Sequence, residues 1–138
     1  MNVEDIMTRH PAHIGSDASV FAALNLLKEL DVRHLPVVDA GELVGMISDR
    51  DLQSLSPTEL DEANLANSTF DLTIRLKQRV ANLMNPNVFF VNPESPVAEV
   101  IDLMLDHRVG AIPVVDLDNS LVGIVSYFDI LRAAGRAL

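Results

Sequence analysis

The sequence predicts an α+β fold of α/β-like character, built from two pseudosymmetric β-α-β-β-α repeats that pack as a pair. Three observations lead to this prediction. The 138-residue chain repeats its own pattern, short Val/Ile/Leu runs alternate with helical periodicity, and one repeat is too small to enclose a core. Two copies that clasp each other would leave two related clefts where they join.

The repeat covers most of the chain. Residues 3–39 align with 80–116 at an offset of 77, and residues 43–54 align with 121–132 at an offset of 78. Fourteen of these 49 positions are identical, and others exchange one apolar residue for another, such as Ile47 for Val125, so both copies should share one fold. The chain therefore divides into a first repeat (1–55), a linker (56–79) and a second repeat (80–138).

Each repeat begins with a short apolar strand followed by an amphipathic helix. The strands are AHI at 12–14 and VFFV at 88–91. Apolar residues spaced i, i+3, i+4 and i+7 mark the two helices: Val20, Ala23, Leu24 and Leu27, then Val97, Val100, Ile101 and Met104. Ser16 or Asp17 is expected to cap the first helix, and Pro96 suits the first turn of the second.

Two more strands and a final helix complete each repeat. The runs LPVVD and LVGMIS, matched by IPVVD and LVGIVS, are typical of strands buried on both faces. Asp39 and Asp116 lie in the turns DAGE and DLDNS, where they are expected to close the hairpins. The final helices should begin near Asp49 and near Tyr127.

Gly45 and Gly123 lie inside predicted strands, where glycine usually marks a bulge or the close approach of another segment. The linker is less clear. Residues 56–69 form a polar, partly helical segment, whereas FDLTIRLK at 70–77 alternates like a strand and also places Leu72, Leu76 and Val80 at helical spacing. Both alternatives stay open.

Composition excludes several classes of function. A net charge of −10 repels nucleic acid and anionic lipid, so neither is an expected partner. No apolar run approaches the roughly 18 residues of a membrane span, and the N-terminus does not resemble a secretory signal. The absence of cysteine fits a cytoplasmic protein. No nucleophile elbow or HExxH motif indicates an enzyme.

The candidate binding residues are Ser48 and Asp51, repeated as Ser126 and Asp129. Each serine ends a strand, and each aspartate lies in the first turn of the next helix, where backbone N–H groups attract anions. A carboxylate can accept hydrogen bonds from both ribose hydroxyls, and the serine hydroxyl can bond ribose or phosphate. The alternative for one copy is a helix cap worth about 0.5–2 kcal/mol. Recurrence in both copies favours binding.

These motifs resemble a known family. Two copies of hhPVVD–turn–LVGhhS–x–x–D, preceded by VEDIMT at 3–8 and VANLMN at 80–85, are similar to a tandem pair of cystathionine-β-synthase (CBS) domains. VRHLPVVD with GMISDRDL is most similar to bacterial stand-alone pairs of the acetoin-utilisation type. The resemblance implies a regulatory homodimer that binds AMP, ADP, ATP or S-adenosylmethionine in clefts between the copies and requires no cofactor.

The resemblance also implies two sets of site residues, each drawing on both copies. The first cleft would combine Ser48, Asp51, Arg33, His34, Arg50, Met84, Val88 and Phe89. The second would combine Ser126, Asp129, Met7, Ala12, Gly110 and Ala111, with Arg33 as a borrowed cation. Because the first set has more cations of its own, a phosphorylated nucleotide is expected there. The second cleft would be empty, hold a neutral adenosine moiety, or borrow Arg33.

Three of these residues could instead have a purely structural role. Arg33 and Arg50 could be an exposed or salt-bridged surface pair, and His34 could be a satisfied histidine beside the core. Three functional hypotheses follow. The first is a ligand sensor that acts on an unknown protein partner in trans, the second is a structural dimerisation module with empty clefts, and the third is a metal or small-anion binder. The third hypothesis would use His10, His13 and His34.

Overall fold

The computed structural model describes residues 1–53 and 73–138. The predicted linker therefore lies largely outside the described residues. Its described end, residues 73–76, is helical, which favours the helical alternative over the strand for that part. Across the two described ranges, no helix has the length and hydrophobicity that a membrane crossing requires.

The chain forms two compact units, and neither unit is one continuous repeat. The Asp129 unit joins Met1–Ala12, Val38–Leu43 and Asn87–Leu138, and the Asp51 unit joins His13–Val37 and Val44–Pro86. The first lead-in segment (VEDIMT, 3–8) thus folds with the second repeat, and the second lead-in segment (VANLMN, 80–85) folds with the first. The backbone shows this exchange directly, because Val3 N–H donates to the Ser95 carbonyl at 2.8 Å and Val80 N–H donates to the Ala18 carbonyl at 2.8 Å.

The first repeat contains α1 (Val20–Leu30), β2 (His34–Asp39), β3 (Glu42–Ser48) and α2 (Asp49–Gln53), with β2 and β3 paired as a two-stranded sheet. The predicted apolar stripe on α1 supplies the core of the Asp51 unit. The buried residues of that core are Ile14, Val20, Ala23, Leu27, Leu35, Val37, Ile47, Leu52 and Val80.

The Asp129 unit contains β1 (Thr8–Arg9), α3 (Val97–His107), β4 (Ala111–Val115), β5 (Leu121–Ser126) and α4 (Tyr127–Ala137). Its antiparallel sheet has the order β1-β5-β4, so the first lead-in segment supplies one edge strand. Every residue of β4 is buried, as its unbroken apolar run predicts. The core residues are Val3, Val91, Val100, Met104, Ile112, Val114 and Val125.

The prediction of a first strand in each repeat, at 12–14 and 88–91, is wrong. Only one parallel bridge forms in each case, between Ile14 and Val37 and between Val91 and Val114. Proline explains the short pairing, because the next ladder bond towards the N-terminus would need an N–H group from Pro36 or Pro113. In the second repeat Pro93 also removes the next donor, and the Asn92 side chain bonds the Val115 carbonyl at 2.9 Å instead.

The predicted caps are also wrong by a few residues. Helix α1 begins at Val20, so Ser19 is its N-cap and accepts a hydrogen bond from Ala22 N–H at 3.0 Å. Ser16 and Asp17 precede the cap and lie outside the helix. Pro96 is the N-cap of α3 and does not enter its first turn. Serine at the cap satisfies a backbone donor that position 16 is too distant to reach.

The two hairpins close by different means. Between β2 and β3, Ala40 and Gly41 both have positive φ, at 50° and 82°, as a tight primed turn requires. Between β4 and β5, the Asp116 carboxylate accepts hydrogen bonds from Asp118 N–H at 2.9 Å and Ser120 N–H at 3.0 Å. The closing role predicted for Asp116 is confirmed.

Replacing glycine with alanine should have opposite effects at Gly41 and Gly135. Open space surrounds both positions, but only Gly41 has the left-handed φ of +82°. Gly41→Ala should lower the free energy of unfolding by about 1–2 kcal/mol, because a Cβ atom strains that backbone. Gly135→Ala, in helix α4, should raise it by up to about 1 kcal/mol. Urea denaturation of both variants measures the two changes, and a gain in stability from Gly41→Ala would contradict the turn geometry.

Candidate functional site

The first Ser–Asp pair forms a closed hydrogen-bonded joint between β3 and α2. The Asp51 Oδ2 atom accepts from Ser48 N–H at 2.8 Å and from the Ser48 hydroxyl at 3.0 Å. Asp51 N–H in turn donates to Ser48 Oγ at 3.2 Å. Strand β3 ends at Ser48 because this serine caps the helix that follows, and the half-buried carboxylate is held against the strand end.

The second pair repeats the joint between β5 and α4. The Asp129 Oδ2 atom accepts from Ser126 N–H at 2.8 Å and from the Ser126 hydroxyl at 3.2 Å. Ser126 and Asp129 form a capping box, in which each side chain accepts a bond from the other residue's backbone N–H. Asp129 is only 5% exposed. The helix-cap interpretation is thus confirmed in both copies. Since a carboxylate offers about four acceptor positions, a cap and a ligand can share it.

A backbone bond ties each joint to the start of a neighbouring strand. Asp49 N–H donates to the Arg33 carbonyl at 2.9 Å, and Tyr127 N–H donates to the Gly110 carbonyl at 3.1 Å. The residues predicted near each aspartate therefore lie next to the start of the helix that carries that aspartate. In the first copy these are Arg33 and His34, and in the second they are Gly110 and the buried Ala111.

His34 is half-buried, whereas the Arg33 and Arg50 side chains are exposed. Burial lowers the pKa of His34 below its ordinary value of 6.5, and the Arg33 charge lowers it further. The carboxylates of Asp49 and Asp51 oppose this shift. The imidazole is therefore held neutral near a carboxylate pair, and the two arginines predicted beside Asp51 face solvent.

The lead-in segments pack closely on the strand glycines. A Cβ atom placed on Gly45 would lie 2.7 Å from the Met84 sulfur, and one placed on Gly123 would lie 2.6 Å from the Met7 sulfur. The predicted close approach at Gly45 and Gly123 is confirmed. A Cβ atom would also lie 3.0 Å from the Asn85 carbonyl oxygen at Gly45 and 3.1 Å from the Thr8 carbonyl oxygen at Gly123. Glycine therefore lets the lead-in backbone and its half-buried thioether lie close to the strand that ends at the Ser–Asp joint.

The predicted site residues divide between the two units. The Asp51 unit contains Ser48, Asp51, Arg33, His34, Arg50 and Met84. The Asp129 unit contains Ser126, Asp129, Met7, Ala12, Gly110, Ala111, Val88 and Phe89. Phe89, expected as an apolar wall, stacks on the His107 ring at a centroid distance of 3.9 Å.

Sequence reasoning missed two arginines that line the same cavity as Asp129. A cavity of about 210 Å³, named here the α4 recess, is lined by Asp5, Ile6, Met7, Asp129, Arg132, Ala133 and Arg136. The Arg132 guanidinium lies 3.7 Å from Asp129 Oδ1. The signal was present in the sequence, because positions i+3 and i+7 from Asp129 fall on the same helix face. The Asp129 site therefore has more cations than the comparison of the two repeats indicated.

The hypothesis of a metal site finds no support in the described ranges. Within residues 1–53 and 73–138, no group of three or more His, Asp or Glu side chains is placed to hold a metal ion. His10 and His13 are both exposed, and they belong to different units.

Comparison with known proteins reports the same two repeats. The sequence profile of the CBS domain matches residues 3–57 and 80–136. Among solved structures, a Vibrio cholerae protein named for acetoin utilization (AcuB) is 30% identical, with a TM-score of 0.80, over 99% of this chain and 92% of that one. This match agrees with the predicted subtype.

Two further structures were solved with ligands. CBSX2 of Arabidopsis thaliana, in complex with AMP, is 31% identical over 99% of this chain and 97% of that one, with a TM-score of 0.80. The CBS domain pair of protein MJ0100, in complex with 5′-methylthioadenosine and S-adenosyl-L-methionine, is 29% identical over 100% of this chain and 98% of that one, also with a TM-score of 0.80.

Some relatives are enzymes of which this chain covers a small part. It matches 24% of the length of a homoserine O-acetyltransferase of Methanococcoides burtonii at 31% identity. The match supports a shared module and does not extend to that protein's activity.

Titration of His34 should make stability depend on pH. Because its pKa is lower in the folded chain than the ordinary 6.5, the unfolded chain binds a proton first as pH falls. The free energy of unfolding should therefore decrease below about pH 6.5 until the folded pKa is passed.

His34→Gln should make this decrease smaller, and the other histidines stay in place in that variant. Urea denaturation at about pH 7.5 and about pH 5.5 measures the difference. An identical decrease in the wild type and the variant would show that His34 does not cause it.

Proposed function

Because the chain belongs to the CBS domain family as a tandem pair, we propose that it is a regulatory module that binds an adenosine-containing ligand at the two Ser–Asp joints. The duplicated joint carries the proposal. Both copies hold an aspartate at the N-terminus of a helix, beside backbone N–H groups, and a half-buried methionine packs against the glycine of the preceding strand. The AMP and adenosyl complexes of the two similar structures support the ligand class.

The proposed contacts follow from the chemistry of each group. The carboxylates of Asp51 and Asp129 would accept hydrogen bonds from the ribose hydroxyls, and Ser48 and Ser126 would bond ribose or phosphate. Arg33, His34 and Arg50 would favour a phosphorylated ligand near Asp51. Met7 and Met84, with their polarizable thioethers, would supply apolar contact to the base.

Regulation requires that the ligand bind one arrangement of the protein better than another. We propose that occupancy is passed in this way to a protein partner in trans, and that the role is regulatory without catalysis. The cysteine-free sequence suits a reducing compartment, which supports placement in the cytoplasm.

A structural module is the second candidate, and one observation favours it. Both aspartates already have a structural role as helix caps, so their recurrence does not require a ligand. A thermal-shift panel of AMP, ADP, ATP, NAD and S-adenosylmethionine separates the two candidates. A ligand present at about 100 times its dissociation constant should stabilise the fold by roughly 2.7 kcal/mol, whereas a purely structural module should show no shift.

Asp51→Ala and Asp129→Ala should each weaken binding of the ligand found in that panel, by about 1.5–3 kcal/mol. The reason is the loss of a charged acceptor for the ribose hydroxyls. Isothermal titration calorimetry measures the affinity. Each variant also loses a cap, so its stability is measured in parallel.

Ser19→Ala is the matched control, because it removes the cap bond of α1 at 3.0 Å and touches neither joint. It should lower stability by about 1 kcal/mol and leave affinity unchanged. Unchanged affinity in both aspartate variants, together with the expected loss of stability, would assign the aspartates to capping alone.

We also propose a homodimer formed through the outer face of α4. Phe128 and Leu131 are 77% and 68% exposed, and their i, i+3 spacing places them on one helix face. Large apolar side chains exposed together commonly mark a protein interface. With a net charge of −10 on each chain, association would rely on apolar burial and should strengthen with salt.

The variant Phe128→Glu/Leu131→Glu should be monomeric near 15.1 kDa, because two buried carboxylates oppose association. Size-exclusion chromatography with light scattering measures the mass. Leu117→Glu is the control, since Leu117 is 99% exposed in the β4–β5 turn and should leave the dimer intact. A wild-type chain that is monomeric at all concentrations would contradict this proposal.

A further inference from the structure

The α4 recess contains charged groups that the ribose contacts do not use. It lies between the turn at Val3–Asp5 and α4, and its volume is about 210 Å³. At roughly 30 Å³ for each water molecule, this space holds about seven waters, which is room for a phosphate group. Two carboxylates (Asp5 and Asp129) and two guanidiniums (Arg132 and Arg136) line it.

The two carboxylates are already engaged in their own caps. Asp5 Oδ2 accepts from Asn2 N–H at 2.8 Å. Asp129 Oδ2 accepts from Ser126 N–H at 2.8 Å, and its Oδ1 atom faces Arg132 at 3.7 Å. Backbone donors thus offset much of the negative charge in the recess, so these carboxylates repel an incoming anion less than their number suggests.

The two guanidiniums retain donors for a ligand. A guanidinium carries five N–H donors, and Arg132 has one long contact, at 3.7 Å to Asp129. Arg136 forms no ion pair with any acid in residues 1–53 or 73–138. Four residues apart on one helix, the two cations lie on the same face and repel each other. A bound anion would relieve that repulsion.

The first repeat has no equivalent pair. At the offset of 78, Ser54 and Thr58 take the sequence positions that match Arg132 and Arg136. The two arginines predicted beside Asp51 lie elsewhere, because Arg33 precedes β2 and Arg50 is the second residue of α2. The two sites therefore differ in where a negative group on the ligand would be held.

We propose that Arg132 and Arg136 form an anion subsite in the α4 recess, and that this subsite makes the Asp129 site prefer a phosphorylated adenosine ligand over unphosphorylated adenosine. The inference rests on the proposed function, because Asp129 must hold the sugar. Arginine suits this task, since its planar fork binds two phosphate oxygens at once. In a chain of net charge −10, two convergent guanidiniums also offset the unfavourable field.

Calorimetric titration with AMP and with adenosine tests the subsite. The parent for the test is Asp51→Ala, so that the Asp129 site dominates the signal, and a two-site fit of the wild-type chain serves as a second measurement. AMP should bind the parent more tightly than adenosine does. Adding Arg136→Gln should weaken AMP binding about tenfold and leave adenosine binding unchanged, because charged hydrogen bonds to phosphate are lost.

Two further variants complete the design. Arg75→Gln removes the same charge from an exposed residue in the other unit, and it should change neither affinity. Arg136→Lys keeps the charge without the fork, and it should give an intermediate loss for AMP.

The outcomes separate the inference from the proposed function. If AMP and adenosine bind the parent equally, or if Arg136→Gln keeps the full preference for AMP, the anion subsite is overturned while ligand binding stands. If neither compound binds the wild-type chain at all, the proposed binding of these ligands fails, and the subsite fails with it.

Discussion

The hydrogen bonds between each strand-terminal serine and the aspartate three residues later are the constraint on which the architecture of both sites depends. They end β3 and β5, start α2 and α4, and hold two carboxylates at defined places before any ligand arrives. A group already fixed by its own cap loses little further conformational freedom on binding. The contact between glycine and methionine fixes the same region from the other side, because the missing side chain lets the lead-in backbone lie close to the strand.

Identical joints lie in different electrostatic surroundings. Near Asp51 the chain places a half-buried neutral histidine and two exposed arginines, whereas Asp129 is almost fully buried beside guanidiniums carried by its own helix. Duplication therefore preserved the part of the site that the fold requires and allowed the charged periphery to diverge. Two sites built on one joint can then hold the negative group of a ligand with different side chains, which a sensor of nucleotide state could use.

Much of this arrangement could be predicted from the sequence, because each element occurs in both copies of the repeat and each copy supports the same prediction. The paired strands, the helices, the Ser–Asp joints and the close approach at Gly45 and Gly123 were found in this way. The first strand of each repeat was predicted wrongly. The apolar runs at 12–14 and 88–91 do not reveal that Pro36, Pro93 and Pro113 lack the backbone N–H donors that a longer ladder needs. Arg132 was missed because a family motif that ends at the aspartate gives no weight to the next turn of the helix. The family resemblance already paired Met84 with Asp51 and Met7 with Asp129. The exchange of lead-in segments between the repeats follows from which core each segment can complete.

The most direct test of the central claim, that the aspartates hold a sugar, compares the affinity of AMP with that of 2′,3′-dideoxyadenosine 5′-monophosphate by calorimetry. The two compounds share the base and the phosphate and differ only in the ribose hydroxyls. If the carboxylates accept hydrogen bonds from those hydroxyls, the dideoxy compound should bind at least tenfold more weakly, since a charged acceptor loses its partners. Equal affinity for the two compounds would contradict the account.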